Sequence, residues 1–261
     1  MIQLPHPQPI KILPLGLEGS LTVPDGATGI VLFAHGSGSS RLSPRNTHVA
    51  RALNKAGLAT LLFDLLSPSE AYDRHKVFDI PLLAGRLEEA LNWIEEKDTT
   101  ADLNVGLFGA STGAAAALTA AARRPFLIRA IVSRGGRPDL AANALADVQA
   151  PTLLIVGERD TLVVELNRRA IGQLACPTRL ELVRCNASVR GARHAGSSHF
   201  ARHALVQATS REGHRRLAAG TRLPGIARRF TAMHRVDAGV RVNSVAGNTR
   251  LPKRPRPQSL A

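Results

Sequence analysis

The sequence predicts an α/β domain built on a mostly parallel sheet with helices on both faces. Three observations predict it. Short, continuously apolar runs such as Gly29-Ile-Val-Leu-Phe-Ala34 alternate with longer amphipathic segments. Runs without polar alternation are what a strand buried on both faces requires. The 261 residues suit one such domain with a sizeable core. One apolar run, residues 105–108, leads through Gly109-Ala110-Ser111-Thr112-Gly113 into the alanine-rich stretch 114–122, a strand, a sharp turn and a helix in succession.

Taken in order, residues 10–23 read as two short strands, broken by Gly16 and Gly19 and closed by Pro24-Asp25-Gly26. The buried strand 29–34 ends in His35-Gly36-Ser37-Gly38-Ser39-Ser40, a loop of small residues. Ser43-Pro44 opens a helix to about Lys55, with proline in the first turn and Val49, Leu53 and Ala56 on one face. Residues 59–63 form the next strand, ending at Asp64, and a loop covers 65–77. The segment 80–97 is the strongest amphipathic helix, with Leu83, Leu87, Leu91 and Ile94 on one stripe. After the strand, turn and helix around Ser111 come a strand at 127–132, the loop from Ser133 to Pro138 and a helix over 140–148. A strand at 152–156 ends in Gly157-Glu158-Arg159-Asp160, followed by a helix over 163–174 and a last strand over 179–183. Parallel sheets place their chemistry at the carboxyl ends of the strands. Ser37, Asp64, Ser111, Arg134 and Asp160 all fall there.

Charge divides the chain. The formal net charge is +14, yet residues 1–183 hold 18 Lys and Arg against 18 Asp and Glu, so the whole excess lies in 184–261. We therefore expect a neutral globular domain over 1–183 and an irregular, poorly ordered basic tail over 184–261. No run approaches the 18 apolar residues of a membrane span, and the proline-rich start lacks the apolar core of a signal peptide. Cys176 and Cys185 have no metal or redox spacing. A cytoplasmic protein without membrane association is the expectation. The sequence does not set an oligomeric state.

Chemistry concentrates at the Gly109–Gly113 turn. A sharp strand-to-helix turn needs small residues around the serine, and it lifts Ser111 Oγ clear of the sheet. There the Thr112 N–H and the helix dipole can meet a developing oxyanion. The plainer alternative is a glycine-rich turn with an ordinary serine cap. Asp160, followed by Thr161, is equally a good helix cap. Asp64 and Asp139 compete with it as an acid. His35, at a strand end, reads as a hydrogen-bonded structural histidine rather than a base.

Together with His35-Gly-Ser-Gly38 and Val156-Gly-Glu-Arg-Asp160, three longer stretches carry a resemblance. They are F-A-H-G-S-G-S-S-R-L-S-P-R-N (33–46), F-G-A-S-T-G-A-A-A-A-L (108–118) and V-S-R-G-G-R-P-D-L (132–140). Over about residues 10–183 the chain resembles the α/β-hydrolase family, a three-layer sandwich, and more closely its dienelactone-hydrolase-related branch. The resemblance implies hydrolysis of a small-molecule ester, lactone or thioester through a Ser-His-Asp triad, with no metal and no organic cofactor. Ser111 matches the nucleophile, although dienelactone hydrolases proper carry cysteine there. Asp160 matches the acid that orients the histidine. The backbone N–H groups of Thr112 and Ser37 match the two oxyanion donors. Arg41 and Arg134, beside strand ends, are candidates to meet a substrate carboxylate with a bidentate pair.

The pattern fails after Val183. The family places its histidine just past the last strand, in a segment resembling G-A-T-H-L-F-E-E-P-G-T-L. Here Arg184-Cys-Asn-Ala-Ser-Val-Arg-Gly-Ala-Arg-His-Ala-Gly196 follows, and acidic residues nearly vanish. Codons permitted for these residues, read one base later, spell that family segment, with the histidine codon straddling Ala187 and Ser188. A shift of reading frame close to Val183 is the expectation. The closing helix of the fold is then replaced by the basic tail, and His194 is the nearest substitute for the lost base, with His199 and His203 behind it. The rival expectation is a catalytically inactive hydrolase-fold protein whose tail binds polyanions incidentally, with no specific nucleic-acid partner.

Overall fold

The computed structural model describes residues 5–184. Its strands are β1 (Gln8–Ile12), β2 (Leu17–Thr22), β3 (Gly29–Ala34), β4 (Ala59–Phe63), β5 (Asn104–Ala110), β6 (Ile128–Arg134), β7 (Thr152–Gly157) and β8 (Thr178–Val183). Its helices are α1 (Pro44–Lys55), α2 (Arg74–Val77), α3 (Ile80–Glu95), α4 (Thr112–Arg123) and α5 (Thr161–Ile171). The eight strands form one sheet in the order β1-β2-β4-β3-β5-β6-β7-β8. β1 and β2 are antiparallel, β2 meets β4 antiparallel, and every pair from β4 through β8 is parallel.

The order reverses between β3 and β5, which pair from Gly29↔Asn104 to Ala34↔Gly109. The chain runs outward from β3 to β4, returns to β5 on the other side and continues to β8. A crevice opens at such a reversal, beyond the carboxyl ends of the strands. The loops after β3 and β5 are therefore neighbours.

Apolar pattern explains the layers. All six residues of β3 are buried, as an uninterrupted apolar run requires. In α3 the stripe Leu83, Leu87, Leu91 and Ile94 is buried, each side chain gaining roughly 2 kcal/mol from leaving water. α4 is buried from Thr112 to Ala121, because its alanines let the helix lie close against the sheet and α3. Val49, Ala50 and Leu53 of α1 join Phe33, Leu62 and Phe108 in a separate cluster on the other face. Among the described residues no helix is long and apolar enough to cross a membrane.

Two segments differ from the sequence reading. Residues 65–77, expected as loop, contain a 3-10 turn (Glu70–Tyr72) and α2, capped by Asp73 Oδ1 on the His75 N–H at 2.9 Å. Glu70 organises them by accepting from the Ser67 N–H and pairing with Lys76 and Arg86. Burial raises the Glu70 pKa, but these hydrogen bonds outweigh it and hold the carboxyl below its ordinary range. The helix expected over 140–148 is instead a kinked 3-10 segment (Pro138–Asp147), with Ala142 at φ 44° and ψ −124°. Ala141, Leu145 and Val148 pack on the core as their spacing implies, but packing selects a tighter turn than helix propensity does.

Candidate active site

β5 delivers Ser111 to the N-terminus of α4 with φ 52° and ψ −124°. A non-glycine residue in this region costs on the order of 1–3 kcal/mol and persists only where its surroundings over-determine it. Here they do. The Ser111 carbonyl accepts from the Ala114 N–H and from the Arg137 N–H, both at 3.1 Å. The glycines of the motif are equally constrained. A Cβ on Gly113 would lie 2.1 Å from the Ala34 carbonyl oxygen, and one on Gly109 would lie 2.4 Å from Ala114 Cα. A Cβ on Gly36 would meet Ser111 Cβ at 2.8 Å. The spacing of the glycines is thus a steric demand of the turn.

The loop after β3 closes on this turn. The Ser37 N–H, expected to face an oxyanion, donates to Thr112 Oγ1 at 3.0 Å. Thr112 is the first residue of α4, so its own N–H has no intrahelical acceptor and lies at the positive end of the helix dipole. His35 is fixed through both ring nitrogens. Nδ1 donates to the Gly36 carbonyl at 3.0 Å, and Nε2 accepts from the Leu65 N–H at 3.1 Å, which requires a neutral ring. Burial pushes the His35 pKa below its usual value, against the opposing pull of the Gly36 carbonyl and Asp64. With both nitrogens engaged, this ring has no lone pair to offer as a base.

Arginines sort the carboxylates. Arg41 donates its backbone N–H to Asp64 Oδ1 at 2.6 Å and its Nη1 to Oδ2 at 2.5 Å, while Nη2 reaches Glu18 Oε2 at 2.5 Å. Arg41 therefore joins the loop after β3 to β2 and β4, and the side chain expected to meet a substrate carboxylate is engaged by Asp64 and Glu18. Asp139 is held by Arg137 at 2.8 Å, which raises the arginine's pKa. Asp160 is exposed and caps α5, accepting from the Val163 N–H through Oδ1 at 3.3 Å. No ion pair engages it among the described residues.

Arg134 has the opposite character to Arg41. It ends β6 opposite Ala110, the residue before Ser111. Nη2 donates to Asn46 Oδ1 at 3.0 Å, the guanidinium carbon lies 5.7 Å from the Phe108 ring centre, and Nε is buried without a partner. Burial lowers its pKa, and the nearby Arg45 lowers it further. Among the described residues no carboxylate pairs with Arg134 or Arg45.

His194, His199 and His203 lie outside the described residues, as do all tail residues beyond Arg184. Among the described residues no group of three or more His, Cys, Asp or Glu side chains converges to hold a metal. The sequence reading missed two buried asparagines, Asn46 and Asn167. Asn167 carried a signal, because it falls on the buried stripe of α5 between Val164 and Ala170.

Comparison with known proteins agrees with this fold. Residues 27–188 match the model of a family described as an alpha/beta hydrolase domain. The crystal structure of a dienelactone hydrolase from Anabaena variabilis is 47% identical, with a TM-score of 0.74 over 78% of this chain and 100% of that one. Est1E from Butyrivibrio proteoclasticus, in a structure with ferulic acid bound, is 14% identical with a TM-score of 0.59 over 76% of this chain and 99% of its own, and shares the fold. A Mycobacterium tuberculosis protein named "Putative phosphoribosyl transferase" is 58% identical over 169 residues, 65% of this chain. This chain spans only 38% of that protein's length. With more than half its length in the family match, the chain belongs to the alpha/beta hydrolase family.

Proposed function

We propose that this is a serine hydrolase that cleaves an ester, lactone or thioester, with Ser111 as nucleophile. The observation that carries the reading is the Ser111 backbone, at φ 52° and ψ −124° between β5 and α4. Two hydrogen bonds to its carbonyl hold that conformation, glycines leave room for the turn around it, and its use is to present Oγ at the crevice. Ser111 attacks the carbonyl carbon. The Thr112 N–H meets the oxyanion, and the Ser37 N–H joins it by shifting from Thr112 Oγ1. Asp160, the carboxylate left free by the arginines, orients the histidine that takes the serine proton. Water then clears the acyl-enzyme. The unpaired Arg134 receives an anionic group of the substrate beside the scissile bond.

The base is the missing part. We infer that a shift of reading frame near codon 184, by one added base or two lost ones, removed it, so the chain as written is nearly inactive. A neutral serine hydroxyl is a poor nucleophile at pH 7. His194 substitutes only if its ring touches both Ser111 and Asp160 within about 2.6–3.2 Å. The transferase name belongs to proteins of which this chain spans 38%. A serine held beside oxyanion donors suits acyl transfer, not displacement at a sugar carbon.

The test compares this chain with the same gene from which the first base of codon 184 has been removed. Ester hydrolysis and labelling of Ser111 by a phosphonate are measured for both. The expected result is activity and labelling only in the restored chain, both abolished by Ser111→Ala, with turnover falling on the order of 10⁴-fold. Equal, substantial rates in the two chains refute the frame account and make His194 the next residue to mutate. Absence of labelling in both leaves the inactive alternative and sinks the hydrolase reading.

A further inference from the structure

Helix α5 carries a buried side chain that no step of the proposed reaction uses. Asn167 is 0% exposed. Its Nδ2 donates to the Val163 carbonyl at 2.8 Å and to the Gly136 carbonyl at 3.0 Å. Both neighbours are acceptors, so the NH2 group must face them, and the orientation of the amide is settled. A buried amide is costly unless bonded, which asks what this one holds.

It holds one peptide plane. Gly136 contributes the carbonyl that Asn167 grips, and the N–H on the other edge of the same plane belongs to Arg137. That N–H donates to the Ser111 carbonyl at 3.1 Å. The Gly136–Arg137 bond is trans, so its C=O and N–H point in opposite directions from a rigid unit. Asn167 therefore lies at one end of the plane and Ser111 at the other. The rest of the loop is fixed around it. Gly135, at φ 51°, donates its N–H to the Ile155 carbonyl at 2.7 Å. Gly136 lies so flat that a Cβ would sit 2.0 Å from Ser133 Oγ and 2.5 Å from Ala114 Cβ. Two consecutive glycines make this plane easy to rotate unless something grips it. The grip comes from α5, the helix that Asp160 caps.

We propose that Asn167 is a positioning residue: it fixes the Gly136–Arg137 peptide plane so that the Arg137 N–H keeps Ser111 in its left-handed conformation. Helix α5 then sets the candidate acid and the backbone of the candidate nucleophile from one rigid element. The turnover consequence rests on the hydrolase reading; the hydrogen-bond relay does not.

The test uses the full chain with Asn167→Leu, which removes the donor at similar volume, and Asn167→Asp. Amide exchange is followed residue by residue, each rate expressed as protection relative to an unfolded peptide. In Asn167→Leu the Arg137 amide should exchange about tenfold faster or more, beyond any change shared by core amides such as Leu87. Unchanged Arg137 protection, or a loss equal to that of the core, overturns the proposal. In Asn167→Asp the protonated carboxyl regains an O–H donor, so Arg137 protection should recover as the pH is lowered, and a flat profile overturns it too. In the frame-restored chain, Asn167→Leu should lower kcat about tenfold or more with KM little changed. An unaltered kcat with a loosened Arg137 amide rejects the positioning role. Failure of the restored chain to turn over rejects the hydrolase reading alone, because the exchange measurements still decide the relay.

Discussion

The Ser37 amide and the Thr112 hydroxyl, 75 positions apart in sequence, are joined by a hydrogen bond of 3.0 Å. The bond fastens the loop after β3 to the first residue of α4. Thr112→Val removes the acceptor and keeps the branched shape. We expect it to cost about 1 kcal/mol, read as a lower urea midpoint with an unchanged slope. Thr112→Ser should retain most of the stability. Equal midpoints for all three proteins would show that the bond carries no net stability.

Glycine substitutions separate steric demand from propensity. Gly113→Ala drives a Cβ to 2.1 Å from the Ala34 carbonyl, and nothing there is the end of a flexible side chain. We expect a loss of about 3 kcal/mol or more. Gly85, inside α3, has open space around a Cβ, so Gly85→Ala should gain roughly 0.5–1 kcal/mol. Thermal unfolding of the two variants should move in opposite directions.

His35 makes stability depend on pH. Its folded pKa lies below the ordinary 6.5, mainly through burial. Below that value the unfolded chain binds the proton more readily than the folded one, so stability rises with pH through this range. His35 therefore contributes stability that is complete above about pH 6.5 and is lost as the pH falls through the folded pKa. His35→Gln should flatten that part of the profile. The check is a urea midpoint measured from pH 7.5 down to 5, and an unchanged slope in the variant would remove histidine as the cause.

Arg134 should decide between charged and neutral substrates. In the frame-restored chain, Arg134→Met should lower kcat/KM for a carboxylated ester roughly 10- to 100-fold, the value of one charge-assisted contact. Hydrolysis of the neutral analogue should change only a few-fold. A parallel loss on both esters would return Arg134 to a purely structural role with Asn46 and Phe108.

The elements were legible where pattern and packing agree. β3 and β4 lie where their apolar runs placed them, and the α3 stripe is the buried face. The Gly109–Gly113 turn was legible because glycine at fixed offsets reports backbone crowding. The pairing of Arg41 was not, since its partners Glu18 and Asp64 come from β2 and the end of β4. Two arginines beside strand ends look alike in sequence, and only tertiary neighbours distinguish the paired Arg41 from the unpaired Arg134. Asn167 sits beside Arg168 and Arg169, which suggests a solvated face; its position on the buried stripe of α5 was the contrary signal. The kink at Ala142 had no signal, because it lacks the glycine or asparagine that usually marks a positive φ.

The two hydrogen bonds on the Ser111 carbonyl also bear on biosynthesis. One donor, Ala114, leaves the ribosome almost with the serine, but Arg137 follows 26 residues later and Asn167 later still. A growing chain that has formed β3, β5 and α4 still lacks the partners that lock the serine. Until α5 has been made and has docked, the nascent domain can carry every residue of the G-x-S-x-G turn without the Arg137 and Asn167 hydrogen bonds that surround its serine in the folded domain.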